Sequence, residues 1–189
     1  MRFTSHGSAA IISAAVIAGC LALQPASAAD DKDALIKDAL SAASPEIAGT
    51  AMVMDWDQTM LRPGTGAYTC MPTPPEMRAT GGRQPMCLDK VWAEWGDAWM
   101  NKKPFKAAGV GIAYMLAGDR GASNTDPYAT APSPTNQWIV EGPHLMVLVP
   151  EAAQMEAMPT DPHHGGPYVM WKGTPYAHIM VPVADRPKQ

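Results

Sequence analysis

The chain has 189 residues, of which 47% are hydrophobic and 17% are charged, and its formal net charge is −4. This length is enough for one domain with a substantial core and too short for two comfortable ones. The slight acidic excess, without a basic block in the sequence, disfavours nucleic-acid binding, which needs a cationic face.

Residues 1–28 are predicted to be a secretory signal peptide. Arg2 precedes an apolar run over residues 9–23, and Ala26, Ser27 and Ala28 form a small-x-small cleavage site. The run is too short for a membrane span, and no other run in the sequence approaches the roughly 20 apolar residues that a span needs. Cleavage near Ala28 would leave a net charge of −5 and a periplasmic or secreted protein.

An alternative is a lipid anchor. Residues 17–20 resemble a bacterial lipobox, in which Cys20 would be lipidated and would become the new N-terminus. The apolar run continues past Cys20 to Leu23, which favours cleavage near Ala28 instead.

Export would leave two cysteines, Cys70 and Cys87. In an oxidising compartment such a pair most simply forms one disulfide. This bond would close a Pro- and Gly-rich loop and add about 3 kcal/mol of stability in the chain-entropy model. A lone pair at this spacing is not a zinc signature.

The N-terminal part of the mature chain, residues 29–46, is predicted to form a helix and a linker. Acidic residues suit the positive end of a helix at residues 30–42, and an apolar stripe follows them. A single globular domain over residues 47–185 comes next. It opens with a strand at residues 49–56 and a long irregular segment at residues 57–87, which contains five prolines.

The clearest helix is expected at residues 88–101. Leu88, Trp92, Trp95 and Trp99 recur at the spacing of one helical face. Three tryptophans on one face can line a ligand groove, but such a stripe is more often part of a core, and we predict a core face.

The rest of the chain alternates between short apolar runs and turn residues. Strands are expected at residues 109–116, 138–140 and 144–149, with a short helix at residues 151–158. Two runs at residues 168–171 and 176–181 flank Lys-Gly-Thr-Pro and predict a β-hairpin. The fold class is therefore predicted to be α+β: a single domain with a mainly antiparallel sheet of five or six strands, two main helices and a C-terminal hairpin.

A short motif occurs twice. His144 and Met146 lie in a His-x-Met-Val segment, and His178 and Met180 lie in another. Residues i and i+2 of a strand share a face, so four ligands would converge if the two strands were neighbours. Imidazole and thioether together suit copper, particularly Cu(I).

Two further histidines, His163 and His164, lie in the loop Asp-Pro-His-His-Gly-Gly-Pro and could add nitrogen ligands for copper or zinc. A second hypothesis is therefore a metal-dependent or histidine-dependent hydrolase that uses Asp161 and these histidines, with Asp126 or Glu141 nearby. No nucleophile motif in the sequence supports it, and we assign no catalytic residue.

The remaining hypothesis, which we favour, is a non-catalytic exported module for binding or structure. Its contact surface would come from aromatic residues in the second half of the chain, namely Tyr128, Trp138, Tyr168, Trp171 and Tyr176.

Three long segments carry a resemblance to other proteins. The segments SNTDPYAT, GPHLMVLVP and GGPYVMWKGTPYAHIMVPV, at residues 123–130, 142–150 and 165–183, resemble signature segments of an uncharacterised family of exported bacterial proteins. The similarity runs over about residues 47–183. It implies a single domain and an exported location, and it assigns no activity, cofactor or functional residue.

Overall fold

A computed structural model describes residues 28–187 of the chain. The predicted signal peptide up to residue 27, including the lipobox residue Cys20, lies outside this described part. Among the described residues, no helix is long and apolar enough to cross a membrane.

The described chain contains four α-helices, one 3₁₀-helix and ten strands. The helices are α1 (Ala28–Leu40), α2 (Pro45–Thr50), α3 (Pro75–Arg78), α4 (Lys90–Met100) and the 3₁₀-helix Ala152–Met155. The first five strands are β1 (Met52–Met54), β2 (Met60–Arg62), β3 (Thr69–Met71), β4 (Met86–Leu88) and β5 (Gly111–Met115). The last five are β6 (Ala122–Ser123), β7 (Trp138–Ile139), β8 (His144–Leu148), β9 (Tyr168–Met170) and β10 (His178–Pro182).

Eight of the strands form one sheet, in the order β2-β1-β3-β4-β5-β8-β10-β9. Only the β1–β3 pair is parallel within it, so the predicted antiparallel character is confirmed. The predicted size of five or six strands was too small. The C-terminal hairpin is formed by β9 and β10, while β6 and β7 pair separately as a two-stranded ribbon.

The additional strands lie in the proline-rich stretch that was expected to be irregular. β2, β3 and β4 have three residues each, which is too short for a recognisable alternation of apolar and polar residues. Cys70 and Cys87 are directly opposite each other on β3 and β4, and they are disulfide-bonded as predicted.

The sheet carries a core on each face. On one face, α1 covers the β2–β4 end, where Val53, Cys70 and Cys87 are fully buried beside Ala39. On the other face, α4 packs on β4 and β5, and the core beneath it extends to β8, β10 and β9. Because successive strand residues point to opposite faces, each strand in the middle of the sheet contributes to both cores.

Helix α4 begins where Asp89 caps it. The Asp89 side chain accepts hydrogen bonds from the backbone N–H groups of Trp92, at 2.9 Å, and of Ile112, at 2.6 Å, so the cap also fixes the helix to β5. Trp92 and Trp95 are buried, which confirms a core face. Trp95 stacks on Trp171 with ring centroids 5.7 Å apart.

Candidate functional site: a cleft beside the C-terminal tail

A cleft of about 640 Å³ lies between the loop at residues 162–166 and the C-terminal tail at residues 182–187. Its volume falls in the range of small-molecule sites in proteins. The wall combines apolar, glycine and charged residues: Ile139, Pro162, His163, Gly165, Gly166, Pro182, Ala184, Asp185, Arg186 and Pro187.

The tail is held against the body of the protein by its backbone. The N–H of Val183 donates to the carbonyl of Pro143 at 2.9 Å. Asp185 then crosses Gly142 so closely that a Cβ on Gly142 would lie 2.3 Å from the Asp185 carbonyl oxygen. Glycine at residue 142 is therefore what allows the tail to form one wall of the cleft.

The tail is also anchored by a buried ion pair. Arg186 donates from Nε to Glu141 Oε2 at 2.8 Å and from Nη2 to Oε1 at 2.6 Å, and Glu141 is 1% exposed. The hydroxyl of buried Tyr168 also donates to Oε1, at 2.7 Å. These bonds to Glu141 raise the pKa of Arg186, and burial raises the pKa of Tyr168.

A second carboxylate, that of Asp119, is hydrogen-bonded to the backbone of Glu141. One oxygen of Asp119 accepts hydrogen bonds from the N–H groups of Gly121, at 2.9 Å, and Glu141, at 2.8 Å. Burial raises the pKa of Asp119, and the hydrogen bonds from the N–H groups of Glu141 and Gly121 oppose this shift. Asp119 thus ties the loop after β5 to the segment before β8.

His144 is fully buried at the start of β8. Its Nδ1 lies 2.7 Å from the carbonyl oxygen of Gly142. A carbonyl only accepts, so Nδ1 carries the proton and Nε2 carries a lone pair in the neutral ring. Nε2 is buried and has no hydrogen-bond partner among the described residues.

His178 is equally buried but has a different environment. Its Nδ1 donates to the carbonyl of Tyr176 at 2.9 Å. The ring meets Trp92, Trp95 and Trp171 edge-on, with centroids 5.0–5.5 Å apart. Burial lowers the pKa of His178 to about 4, so its imidazole is neutral at pH 7.

The two His-x-Met-Val segments are neighbours, as the predicted convergence required. β8 and β10 pair antiparallel, with Met146 directly opposite Met180. The antiparallel direction places His144 opposite Pro182 and His178 at the other end of the pair. The two histidines are therefore four residues apart along the strands, about 13 Å at the usual rise.

The other two predicted ligands lie elsewhere. His163 and His164 are exposed in the loop before β9. His163 lines the cleft, whereas the His164 ring bonds to the carbonyl of Pro167 at 2.9 Å. Among residues 28–187, no three His, Cys, Asp or Glu side chains lie close enough to share a metal ion. Metal binding by the four histidines with Met146 and Met180 stays a prediction.

The side chains proposed for a hydrolase are engaged locally. Asp161 accepts from the N–H of His163 at 2.9 Å, and Asp126 accepts from the N–H of Tyr128 at 2.8 Å, so each stabilises a turn. Glu141 is committed to Arg186. All three carboxylates therefore have structural partners, and their arrangement does not support the hydrolase hypothesis.

The expected aromatic surface is largely buried. Tyr168, Trp171 and Tyr176 are all buried, so their placement on a contact surface was wrong. Their rings belong to the core under α4, since each buries a large apolar area there. Tyr128 alone of the five is strongly exposed, and it stacks on Trp99 with centroids 6.1 Å apart.

Three residues of the site were not recognised in the sequence: Asp119, Tyr168 as a hydrogen-bond donor, and Arg186. Asp119 precedes a glycine-containing turn, which is a weak signal for an Asx turn. Arg186 is isolated in a proline-containing tail, and no local pattern pairs it with Glu141, 45 residues earlier.

Comparisons of the chain with protein-family models, with curated proteins and with solved structures find no match. The resemblance to an exported bacterial family therefore stays a prediction. Any assignment of function depends on the geometry of the described residues.

Proposed function

We propose that the protein is a non-catalytic, exported binding module that holds a small polar ligand in the cleft beside its C-terminal tail. The observation that carries the proposal is the cleft, whose volume suits a small ligand and whose wall combines apolar and charged residues. The Glu141 carboxylate, which holds the tail in place, accepts hydrogen bonds from Tyr168 and Arg186. The disulfide between Cys70 and Cys87 supports an oxidising compartment, in line with the predicted signal peptide.

Two carboxylates near the tail, Glu141 and Asp119, have structural roles. A general base needs a free lone pair within reach of a substrate proton. Both Glu141 oxygens face Arg186, and one Asp119 oxygen holds two backbone N–H groups. These carboxylates therefore position the walls of the cleft, and the network gives it a fixed shape.

The walls indicate what kind of ligand would fit. Arg186 keeps Nη1 available, since its Nε and Nη2 bond to Glu141 and no described residue accepts from Nη1. Asp185 adds an acceptor and His163 an imidazole, and Pro162 and Pro182 add apolar surface. Charges of both signs favour a zwitterionic or neutral polar compound over a strongly charged one.

Calorimetric titration with a panel of amino acids, small sugars and short carboxylates tests the proposal. The neighbouring histidines provide a matched pair of variants, because His163 lines the cleft and His164 does not. For any compound that binds, His163→Ala should weaken binding about fivefold, the loss of one hydrogen bond of about 1 kcal/mol. His164→Ala should leave the affinity unchanged. Equal effects of the two variants would argue against this cleft.

A further inference from the structure

One row of residues across the large sheet consists almost entirely of methionines. It begins on the edge strand β2 and ends on β8: Met60, Met54, Met71, Met86, Met115 and His144. Each member lies beside the next one on the adjacent strand.

The first half of the row follows from the register of β2, β1 and β3. Met54 pairs with Met60 across the β1–β2 ladder. Val53 pairs with Cys70 in the parallel β1–β3 ladder, which brings the following residues, Met54 and Met71, together. Val53 and Cys70 are buried against α1, so these methionines lie on the opposite face.

The second half follows from β3, β4, β5 and β8. Met71 pairs with Met86. The pairing of Cys87 with Tyr114 places Met86 beside Met115, and Met115 pairs with His144. Cβ atoms of directly opposed residues lie about 4.5–5.5 Å apart, so neighbouring thioethers in this row are within reach of a shared ion.

Exposure decreases along the row. Met60 is 53% exposed at the edge of the sheet, Met54, Met71 and Met86 are half-buried, Met115 is 4% exposed and His144 is fully buried. The row therefore runs from solvent to a buried imidazole.

The end of the row has the chemistry of a ligand site. His144 donates from Nδ1 to the Gly142 carbonyl, which is the outer bond that metal-binding histidines usually make. The bond leaves the Nε2 lone pair free, and this buried atom has no partner among the described residues. Met115, the cross-strand partner of His144, supplies a thioether beside it.

We propose that Met86, Met115 and His144 Nε2 form a binding site for Cu(I), which Met60, Met54 and Met71 connect to solvent. Thioether and imidazole are ligands that select soft monovalent copper over Mg²⁺ or Ca²⁺. The two His-x-Met-Val segments predicted a ligand set of His144, Met146, His178 and Met180. The proposed site shares only His144 with that set.

Anaerobic titration of the full mature chain with Cu(I), and in parallel with the redox-inert soft ion Ag(I), tests this site. Methyl-¹³C methionine labelling reports on each thioether. One equivalent should shift the methyl signals of Met86 and Met115, and the His144 Nε2 resonance should shift while its Nδ1 keeps its proton. This readout uses the unmodified protein, so it does not depend on whether a variant folds.

Variants separate the site from adventitious binding. Met86→Leu and Met115→Leu nearly conserve volume and should each weaken Ag(I) binding at least tenfold. Met155→Leu changes a buried methionine outside the sheet and should bind as the parent does. The proposal fails if neither ion is taken up, if shifts are confined to exposed Met60 and Met100, or if all three variants bind equally.

Discussion

Glu141 and Arg186 form a bidentate ion pair in which the carboxylate is almost completely buried and the guanidinium belongs to the C-terminal tail. The pair closes the cleft by holding the tail at residues 182–187 against the segment before β8. Because Tyr168 donates to the same carboxylate, both the tail and β9 are bonded to Glu141.

Loss of one partner of this pair should be costly. Arg186→Ala leaves the Glu141 carboxylate buried without its cation, and we expect a loss of about 3–5 kcal/mol in the free energy of unfolding, measured by urea denaturation. Lys90→Ala is the control, because the Lys90–Glu94 pair lies on the surface and should contribute less than about 1 kcal/mol. Similar small losses in both variants would contradict a buried ion pair.

His178 should make the protein sensitive to acid. Its pKa is about 4 in the folded protein, below the usual value of 6.5, so protonation favours the unfolded chain. The stability is fully present above pH 6.5 and is lost as the pH falls toward 4, by an amount on the order of 3 kcal/mol. Urea denaturation between pH 7 and pH 4 measures this loss.

A pair of variants assigns the acid sensitivity to His178. His178→Phe replaces the imidazole by an apolar ring among the three tryptophans, and its stability should change less with pH than that of the parent. His164→Gln alters an exposed histidine and should keep the parent's pH profile. An unchanged profile in His178→Phe would show that other groups cause the loss.

Gly142 should be intolerant of a side chain. Gly142→Ala places a methyl group against the backbone of Asp185, which must move, and we expect a loss of about 1–3 kcal/mol together with weaker ligand binding in the cleft. Gly96→Ala is the matched control, because a Cβ there meets nothing within 4 Å and lies in α4. That control should gain up to about 1 kcal/mol of stability from helix propensity.

Reduction of the disulfide should weaken the β3–β4 part of the sheet. The bond between Cys70 and Cys87 closes a loop that contains α3, and its removal should cost about 3 kcal/mol. The Cys70→Ala/Cys87→Ala double variant, compared with the parent by thermal unfolding with and without reductant, measures this cost. If reductant leaves the unfolding midpoint of the parent unchanged, the predicted stabilisation by the disulfide is contradicted.

Local patterns in the sequence were sufficient for some elements and not for others. Helix α4 was predictable because its tryptophans recur on one face, although the capping role of Asp89, which starts the helix at Lys90, was not recognised. The C-terminal hairpin was predictable from two apolar runs around a turn. Strands β2, β3 and β4 were not, since three residues are too few to show a period and the prolines around them suggested a loop.

The candidate sites depend on contacts that are distant in the sequence. Met115 and His144 meet only through the pairing of β5 with β8, and Glu141 and Arg186 meet only through the path of the tail. The repeated His-x-Met-Val motif raised the question of whether its two strands are neighbours, and the pairing of β8 with β10 shows that they are. The motif did not reveal their antiparallel direction, which places His144 and His178 at opposite ends of the pair.

The most direct test of the binding proposal is to map backbone amide shifts by ¹H–¹⁵N NMR while a compound that binds in the calorimetric panel is added. The predicted result is a set of shifts around the cleft, at His163, Gly165, Gly166 and Arg186. Shifts centred instead on Lys102 and Tyr128, an exposed cation–π pair next to α4, would contradict the proposed site.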